Sequence, residues 1–185
     1  MPARAKNIAI LIKNVFDPKA EGTVIQAQSK GREDSIKSIS CMNNIALLKV
    51  FGEGTGYRIG VMAEISRVLS DNDVNILSAV TSQTCIALLL SSKDLNKARH
   101  LLTEMDGGFI SKTEASEDVA LICIVGEGLG YQRGIAYRVF SAVNSVGASV
   151  GMISAGASLV AYHFTVSKAD LEKVTRAVHQ EFFGC

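Results

Sequence analysis

The sequence carries almost no excess charge, and this balance excludes one large class of binding proteins. Its 185 residues include 19 basic and 18 acidic side chains, which leaves a formal net charge of +1 at pH 7. A surface that binds nucleic acid needs a basic patch or stripe to neutralise phosphates. We therefore expect no nucleic-acid partner.

The sequence also lacks any apolar segment long enough to cross a membrane or to act as a signal peptide. Its start, residues 1–6, is charged, and the apolar run that follows spans only Ile8 to Ile12. A spanning helix needs about 20 apolar residues, and a signal peptide has an apolar core of about 7–15. These absences predict a cytoplasmic protein with no membrane partner.

The four cysteines have none of the spacings that mark a metal site or a redox pair. Cys41, Cys85, Cys123 and Cys185 lie far apart, and no Cys-x-x-Cys pair or histidine at ligand spacing accompanies them. Three of them sit in or beside strand-like runs, where a free cysteine behaves as a small apolar residue. We therefore expect core packing rather than metal binding or redox chemistry, and no cofactor.

A catalytic constellation is missing as well. The histidines, His100, His163 and His179, fall on predicted helices or a predicted strand, and none has a plausible nucleophile or acid beside it in sequence. Glu53 and Glu127 occupy matching loops of two different repeats, so they do not form a carboxylate pair at one site. A Walker-type phosphate loop is also missing. We expect no catalytic residues.

What the sequence does contain is one supersecondary unit used twice. The stretch Gly52-Glu-Gly-Thr-Gly-Tyr57 returns as Gly126-Glu-Gly-Leu-Gly-Tyr131, at an offset of 74 residues. Each copy follows an apolar run and precedes a segment of helical periodicity. The period is longer than that of solenoid repeats. We therefore predict two small domains in tandem, each able to bury a core, because apolar residues make up 48% of the chain.

Each repeat is predicted to run strand, helix, strand, strand, helix, and the first adds a fourth strand. In the first repeat the strands are Ile45–Phe51, Val74–Thr81, Cys85–Leu90 and Phe109–Thr113, with helices over 59–70 and from Ser92 or Asp94 to Thr103. In the second, the strands are 118–125, 149–155 and 159–166, with helices over 134–146 and 168–183. A βαββαβ order forms a four-stranded antiparallel sheet with two helices on one face, the ferredoxin-like α+β arrangement. The apolar strands suggest that the bare face of each sheet pairs with another sheet or subunit.

The second repeat has no fourth strand of its own, whereas the strand-like segment Ile36–Cys41 has no place in the first repeat. Apolar and polar residues alternate in this segment, which is typical of a half-buried strand. The simplest arrangement adds it to the second sheet, so that the first unit is inserted within the second. The predicted domains are residues 44–114, residues 36–43 plus 115–185, and a leader over residues 1–35 with two extended runs and a polar linker over 28–35.

The glycine-rich turns lie between a strand and a helix, where backbone N–H groups approach an anion and the helix N-terminus favours negative charge. A dinucleotide fingerprint is disfavoured, because the pattern is Gly-x-Gly-x-Gly-Tyr rather than Gly-x-Gly-x-x-Gly and the unit is too short for a doubly wound fold. Two interpretations stay open. The turns either satisfy a need for positive φ alone, or the first turn holds a small carboxylate ligand.

Several segments together resemble one known family. Gly60-Val-Met-Ala-Glu-Ile65, Val74-Asn-Ile76 and residues 81–88 are similar to the first ACT domain of aspartate kinases. Residues 119–126, Tyr137-Arg-Val-Phe140, residues 152–158 and Asp170-Leu-Glu-Lys-Val174 are similar to the second. Residues 8–25 resemble the last strands of the family's catalytic domain. The resemblance covers nearly the whole chain, and it lies in the order and linkage of the parts more than in any single motif.

The resemblance implies a regulatory module of aspartate kinase. In this family the ACT pair binds an end-product amino acid, usually lysine or threonine, and shifts the kinase domain towards an inactive arrangement. It also implies the aspartate kinase catalytic domain as a partner, and a homodimer formed through ACT sheets. We expect a regulatory fragment or a separately encoded subunit, with no catalytic activity of its own. The alternative is a structural ACT pair that mediates dimerisation and binds no ligand.

Carried over from the family, the effector site falls in the first repeat. The matching positions are Arg58, Gly60, Val61 and Met62 at the helix start, Asn75, Ile76 and Leu77 on the second strand, and Ser82, Gln83 and Thr84 at the strand turn. In lysine-inhibited members, acidic residues match Leu77 and Gln83, and here Arg58 adds a repelling charge. A buried ammonium without an anionic partner is unfavourable, whereas Gln83 resembles the amide of threonine-responsive members. A small neutral, threonine-like ligand is therefore favoured over lysine.

Overall fold

The computed structural model describes residues 2–26, 36–52, 56, 58–105, 108–127 and 129–184. The predicted polar linker over 28–35 and most of the first glycine turn lie outside these ranges. The chain divides into two compact units, residues 1–33 and residues 34–185. None of the helices in the described ranges has the length and apolar character that crossing a membrane requires.

The smaller unit holds a short helix and a β-hairpin. Helix α1 covers Pro2–Ala5, and strand β1 (Ile10–Ile12) pairs antiparallel with β2 (Thr23–Ile25). Between the strands, the Asn14 side-chain oxygen accepts a hydrogen bond from the Phe16 N–H at 3.0 Å, which fixes the turn. The two extended runs and the turn are as the sequence predicts, whereas α1 was not predicted.

The first four-stranded sheet belongs to the first repeat, and its strand order is β5-β6-β4-β7. Its strands are β4 (Ile45–Phe51), β5 (Ile76–Thr81), β6 (Cys85–Ser91) and β7 (Lys112–Ser116), all antiparallel to their neighbours. Its helices are α2 (Val61–Ser70) and α3 (Leu95–Thr103), the latter preceded by a 3-10 turn over Ser92–Asp94.

The second sheet has the order β3-β8-β10-β9. Its strands are β3 (Ile36–Met42), β8 (Ala120–Gly126), β9 (Ile153–Ser154) and β10 (Ala161–Val166), and its helices are α4 (Ile135–Ser145) and α5 (Leu171–Phe183). Strand β3 precedes the whole first repeat in sequence and pairs with β8 across the register Ser40↔Cys123. The first ferredoxin-like unit is therefore inserted within the second, and the predicted α+β fold class is confirmed.

Period-two alternation builds the core of each domain. In β4, Ala46, Leu48 and Val50 point to the same side and are at most 2% exposed, packed against α2 and α3. In β8, Ile122 and Ile124 do the same beneath α4 and α5 and are fully buried. Complete burial of one such side chain stabilises a fold by about 1.5–3 kcal/mol, so these rows hold each sheet against its helices.

A third apolar cluster joins the two domains. Ile45, Leu47 and Leu89 contribute from the first sheet, and Val119 and Met152 from the second domain, each at most 8% exposed. The β4 members alternate with the residues that face the helices, so they lie on the helix-free side of their sheet. The bare face predicted to pair with another sheet thus packs, in part, against the other repeat of the same chain.

Three element boundaries differ from the prediction for identifiable reasons. Helix α2 begins at residue 61 rather than 59, because Gly60 has a φ of 90° and takes the N-cap position. Strand β7 begins at residue 112, because Phe109 lies in the core, 6% exposed, instead of in the sheet. Strand β9 has only two residues, since the Met152 N–H donates to the Thr165 side-chain oxygen at 2.8 Å rather than to the strand ladder.

Candidate ligand-binding cleft

The N-terminus of α2 offers backbone donors to a ligand. The Glu64 N–H donates to the Gly60 carbonyl at 2.9 Å, which is the first bond of the helix. The N–H groups of Val61, Met62 and Ala63 therefore have no acceptor within their own helix. Gly60 has no side chain that could cap them. Together with the positive end of the helix dipole, these donors favour a carboxylate.

The turn between β5 and β6 is held rigid opposite that helix end. Ser82 donates from its backbone to the Cys85 carbonyl at 2.8 Å, and its hydroxyl oxygen accepts from the Cys85 N–H at 3.1 Å. Gln83 accepts a hydrogen bond from the Gly56 N–H at 2.8 Å. A Cβ at Gly56 would lie 2.7 Å from the Gln83 Cα, so only glycine permits this approach. The second half of the glycine-rich loop is thus fastened to the strand turn.

Helix end, loop and turn enclose an open cleft of about 530 Å³. This volume is within the usual range for small-molecule sites, about 300–1,000 Å³. Backbone and apolar groups come from the start of α2, a positive charge from Arg58, and an amide and hydroxyls from the turn. The residues that line it are Gly56, Arg58, Gly60, Val61, Met62, Ala63, Thr81, Ser82, Gln83 and Ile86. Within this described lining there is no carboxylate.

Six of the ten predicted site residues line this cleft, namely Arg58, Gly60, Val61, Met62, Ser82 and Gln83. Thr84 lies beside it in the turn, where its carbonyl accepts a hydrogen bond from the Gly52 N–H at 3.2 Å. Asn75 and Ile76 line a separate depression with Ser66 and Ser70 of α2. Leu77 sits at an irregularity in the β5–β6 register and is 43% exposed.

The length of β5 explains this division. Ile76 lies at the start of the strand and Thr81 at its end, so about five residue steps of 3.3 Å, or roughly 17 Å, separate them. The strand start is level with the C-terminal turn of α2, whereas the cleft is at the N-terminal turn. Lining residues absent from the prediction are Gly56, Ala63, Thr81 and Ile86. The repeated glycine motif already marked Gly56.

The corresponding place in the second repeat has a different lining. Gly126 donates to the Val160 carbonyl at 2.9 Å, just as Gly52 donates to Thr84. The repeat offset is 74 residues for these donors and 76 for the acceptors, so the second turn is two residues longer. Leu159 is therefore the counterpart of Gln83.

Apolar side chains pack around this second turn. A Cβ at Gly130 would meet the Leu159 Cδ2 at 3.0 Å, whereas Gly56 faces backbone. Leu129 is fully buried in the second core, and its carbonyl accepts a hydrogen bond from the Tyr162 hydroxyl at 2.8 Å. The amide and the hydroxyls of the first cleft thus have apolar counterparts here, and we place the candidate site in the first repeat.

The cysteines show no arrangement suited to chemistry in the described part of the chain. Burial raises the pKa of the Cys85 thiol, which lies next to the turn, and likewise that of Cys123 in β8. A raised thiol pKa lowers the thiolate fraction near neutral pH and so lowers reactivity. Within the described ranges, no group of three or more metal-ligating side chains comes together.

Comparison with known proteins identifies both domains. One family model described as an ACT domain matches residues 40–104, and a second with the same description matches residues 122–182. The chain is a tandem of two ACT domains. The resemblance found from the sequence motifs is therefore confirmed, and the cleft lies within the first ACT domain.

The related sequences are aspartokinases. The bifunctional aspartokinase/homoserine dehydrogenase of Haemophilus influenzae is 25% identical over 99% of this chain, and aspartokinase 1, chloroplastic, of Arabidopsis thaliana is 26% identical over 98%. The chain spans 23% and 33% of the lengths of these two relatives. The likeness thus covers nearly all of this chain and a minor part of each relative.

Solved structures share the fold. The aspartate kinase of Clostridium acetobutylicum has a TM-score of 0.88 at 21% identity, covering 98% of this chain and 43% of its own. E. coli aspartokinase III in complex with lysine and aspartate has a TM-score of 0.80 at 24% identity, with 98% and 40% coverage. The regulatory subunit of the Thermus thermophilus enzyme has a TM-score of 0.72 at 22% identity, covering 80% of this chain and 99% of its own.

Proposed function

We propose that this chain is an allosteric regulatory module of an aspartate kinase, and that the cleft of its first ACT domain binds a small neutral amino acid of the threonine type. Binding would then control the first step of aspartate-family amino-acid synthesis. The observation that carries the proposal is the cleft itself, in which the unbonded N–H groups of α2 face the rigid turn at Gln83. Two further features argue for the class of ligand.

The first feature is the complementarity of the cleft to a carboxylate. Three backbone N–H groups at a helix N-terminus and the guanidinium of Arg58 line the same space. Both kinds of group stabilise an anion, and hydrogen bonds to a charged acceptor contribute about 1.5–3 kcal/mol each. The Gln83 amide and the Ser82 hydroxyl are suited to hydrogen-bond a hydroxyl or the amino group.

The second feature is the charge of the described lining, which includes Arg58 and no acidic residue. A lysine side chain would bring a second positive charge to this space without an anionic partner, which is unfavourable. E. coli aspartokinase III has been solved in complex with lysine. We propose that the present site differs from a lysine site because Leu77 and Gln83 stand where the family's lysine-inhibited members have acidic residues.

We further propose the domain limits 44–114 for the first ACT domain and 36–43 plus 115–185 for the second. Residues 1–35 would then correspond to the end of a kinase domain. Two observations support this: residues 1–33 form a separate unit, and the match to the isolated Thermus regulatory subunit covers less of this chain than the match to the Clostridium kinase.

A homodimer formed through ACT sheets, in a cytoplasmic location, completes the proposal, with the aspartate kinase catalytic domain as the further partner. The strands β5 and β7 are the edges of the first sheet. An edge strand presents backbone N–H and C=O groups that a second copy can pair. Leu77, which is 43% exposed on β5, would be covered by that pairing. Sedimentation velocity on the chain tests it, because a monomer at tens of micromolar would contradict the dimer.

The proposed ligand is tested by a thermal-shift screen against threonine, lysine, methionine, isoleucine and S-adenosylmethionine. A ligand at 100 times its dissociation constant adds about 2.7 kcal/mol of stability. For a chain of this size that raises the melting midpoint by about 5–10 °C. We expect this shift with threonine. A shift with lysine but not threonine would contradict the charge argument, and no shift with any compound would favour a structural ACT pair.

Two variants separate the cleft from its surroundings. Gln83→Leu introduces the residue found at the matching position of the second repeat, and it should abolish most of the threonine shift. Asn75→Ala changes a residue of the separate depression near α2, and it should leave the shift unchanged. Loss of binding in Asn75→Ala with retention in Gln83→Leu would move the site from the cleft to that depression.

A further inference from the structure

Arg58 is held at the cleft by a residue that does not line it. The guanidinium carbon of Arg58 lies 4.8 Å from the centre of the Phe109 ring. Phe109 is 6% exposed and packs in the core of the first domain. A guanidinium within about 6 Å of a ring centre is attracted to the negative face of that ring. A fixed core residue thus restrains a charged side chain that lines the cleft.

This arrangement leaves the binding edge of the guanidinium available. Stacking uses the flat face of the group, whereas its N–H donors lie in its plane and point outward. A carboxylate can therefore pair with the edge while the ring holds the face. The same fixed charge raises the energy of any cation in the cleft, because two like charges a few ångströms apart repel.

We propose that Phe109 is a positioning residue for the cleft, and that it sets the charge selectivity of the cleft by fixing Arg58. This inference rests on the proposed function, since it concerns the same site. It adds a residue outside the lining, which comes from the segment between α3 and β7 and acts only through its neighbour.

Replacing Phe109 by leucine tests the proposal, because leucine keeps the apolar burial and removes the ring. Isothermal titration with threonine and with lysine gives both affinities. We expect Phe109→Leu to weaken threonine binding about two- to fivefold, the value of an exposed cation–π pair. The preference for threonine over lysine should fall with it. Arg58→Ala should weaken threonine binding about tenfold or more, as loss of a charged hydrogen bond does.

The double variant distinguishes positioning from packing. If Phe109 acts through Arg58, Phe109→Leu should have no further effect on affinity once Arg58 is alanine. Arg58→Lys keeps the charge at a surface position but loses the planar stack, so it should reproduce the Phe109→Leu result even if the core variant folds poorly. Phe182→Leu is the matched control, since Phe182 stacks with Arg138 at 4.4 Å in the second domain.

The outcomes are distinct. Equal threonine affinity in the parent and in Phe109→Leu would overturn the positioning role alone, as would a Phe109→Leu effect that persists without Arg58. A loss of affinity in Phe182→Leu as large as that in Phe109→Leu would also overturn it, because the effect would then come from general packing. Absence of binding by the parent chain to either amino acid would overturn the proposed function, and this inference with it.

Discussion

The close approach between Gly56 and the turn at Gln83 makes a quantitative prediction. A Cβ at residue 56 would lie 2.7 Å from the Gln83 Cα and 3.1 Å from the Gln83 carbonyl oxygen. Ordinary contacts begin near 3.4 Å, so Gly56→Ala forces the backbone of the turn to move by about 0.7 Å. No side-chain rotation relieves an overlap with backbone. We expect a loss of about 1–3 kcal/mol in the free energy of unfolding, the usual effect of overpacking.

Gly130→Ala is the matched control, because Gly130 has the same place in the second repeat. Its Cβ would meet the Leu159 Cδ2 at 3.0 Å, which is the far end of a flexible side chain. Neither glycine has a φ in the left-handed region. Replacing glycine by alanine also reduces the entropy of the unfolded chain, which stabilises by about 0.4–1 kcal/mol. We therefore expect Gly130→Ala to change stability by less than about 1 kcal/mol.

Urea unfolding followed by circular dichroism measures both variants under the same conditions. The reasoning requires a clearly lower midpoint for Gly56→Ala than for Gly130→Ala, with similar slopes. It further requires weaker ligand binding in Gly56→Ala, because the Gln83 amide moves with the turn. Equal midpoints for the two variants, with unchanged binding, would show that the turn is not fixed by this contact.

Two further predictions concern the second domain and the thiols. Thr165→Val should lose about 1–3 kcal/mol in urea unfolding, because the Met152 N–H would be buried without its acceptor; a loss below 0.5 kcal/mol, on the same order as a neutral surface change, would contradict this. Iodoacetamide at pH 8 should label Cys41, which is exposed, before Cys85 and Cys123, whose thiol pKa values burial raises. Their labelling rates should increase as the pH rises towards those raised values, and peptide mass spectrometry would refute the account if Cys123 reacted first.

The sequence predicted the architecture well, because alternation and the repeat are both local signals. The repeated glycine motif marked the two units, and the orphan segment at Ile36 marked the insertion that β3 and β8 now display. What local patterns could not predict is where long-range contacts override them. Thr165 shortens β9 by replacing one backbone acceptor, and Phe109 leaves the predicted strand for the core.

The site divides along the same line. The helix start and the strand turn are adjacent because the fold brings the N-terminus of α2 to the end of β5, and residues from both were predicted. Asn75 and Leu77 were carried over from the family by sequence position, and the structure has them about a strand length from the turn. The contact between Arg58 and Phe109 joins positions 51 residues apart. No pattern in the sequence could indicate it.

Isothermal titration of the chain with threonine and with lysine tests the central claim most directly. The cleft has donors for a carboxylate and no acidic group in its described lining, and its counterpart at Leu159 is apolar. We therefore predict one threonine bound per chain, with lysine weaker by about tenfold or more, since each tenfold corresponds to about 1.4 kcal/mol. Lysine binding as tight as threonine, or two ligands per chain, would contradict the account.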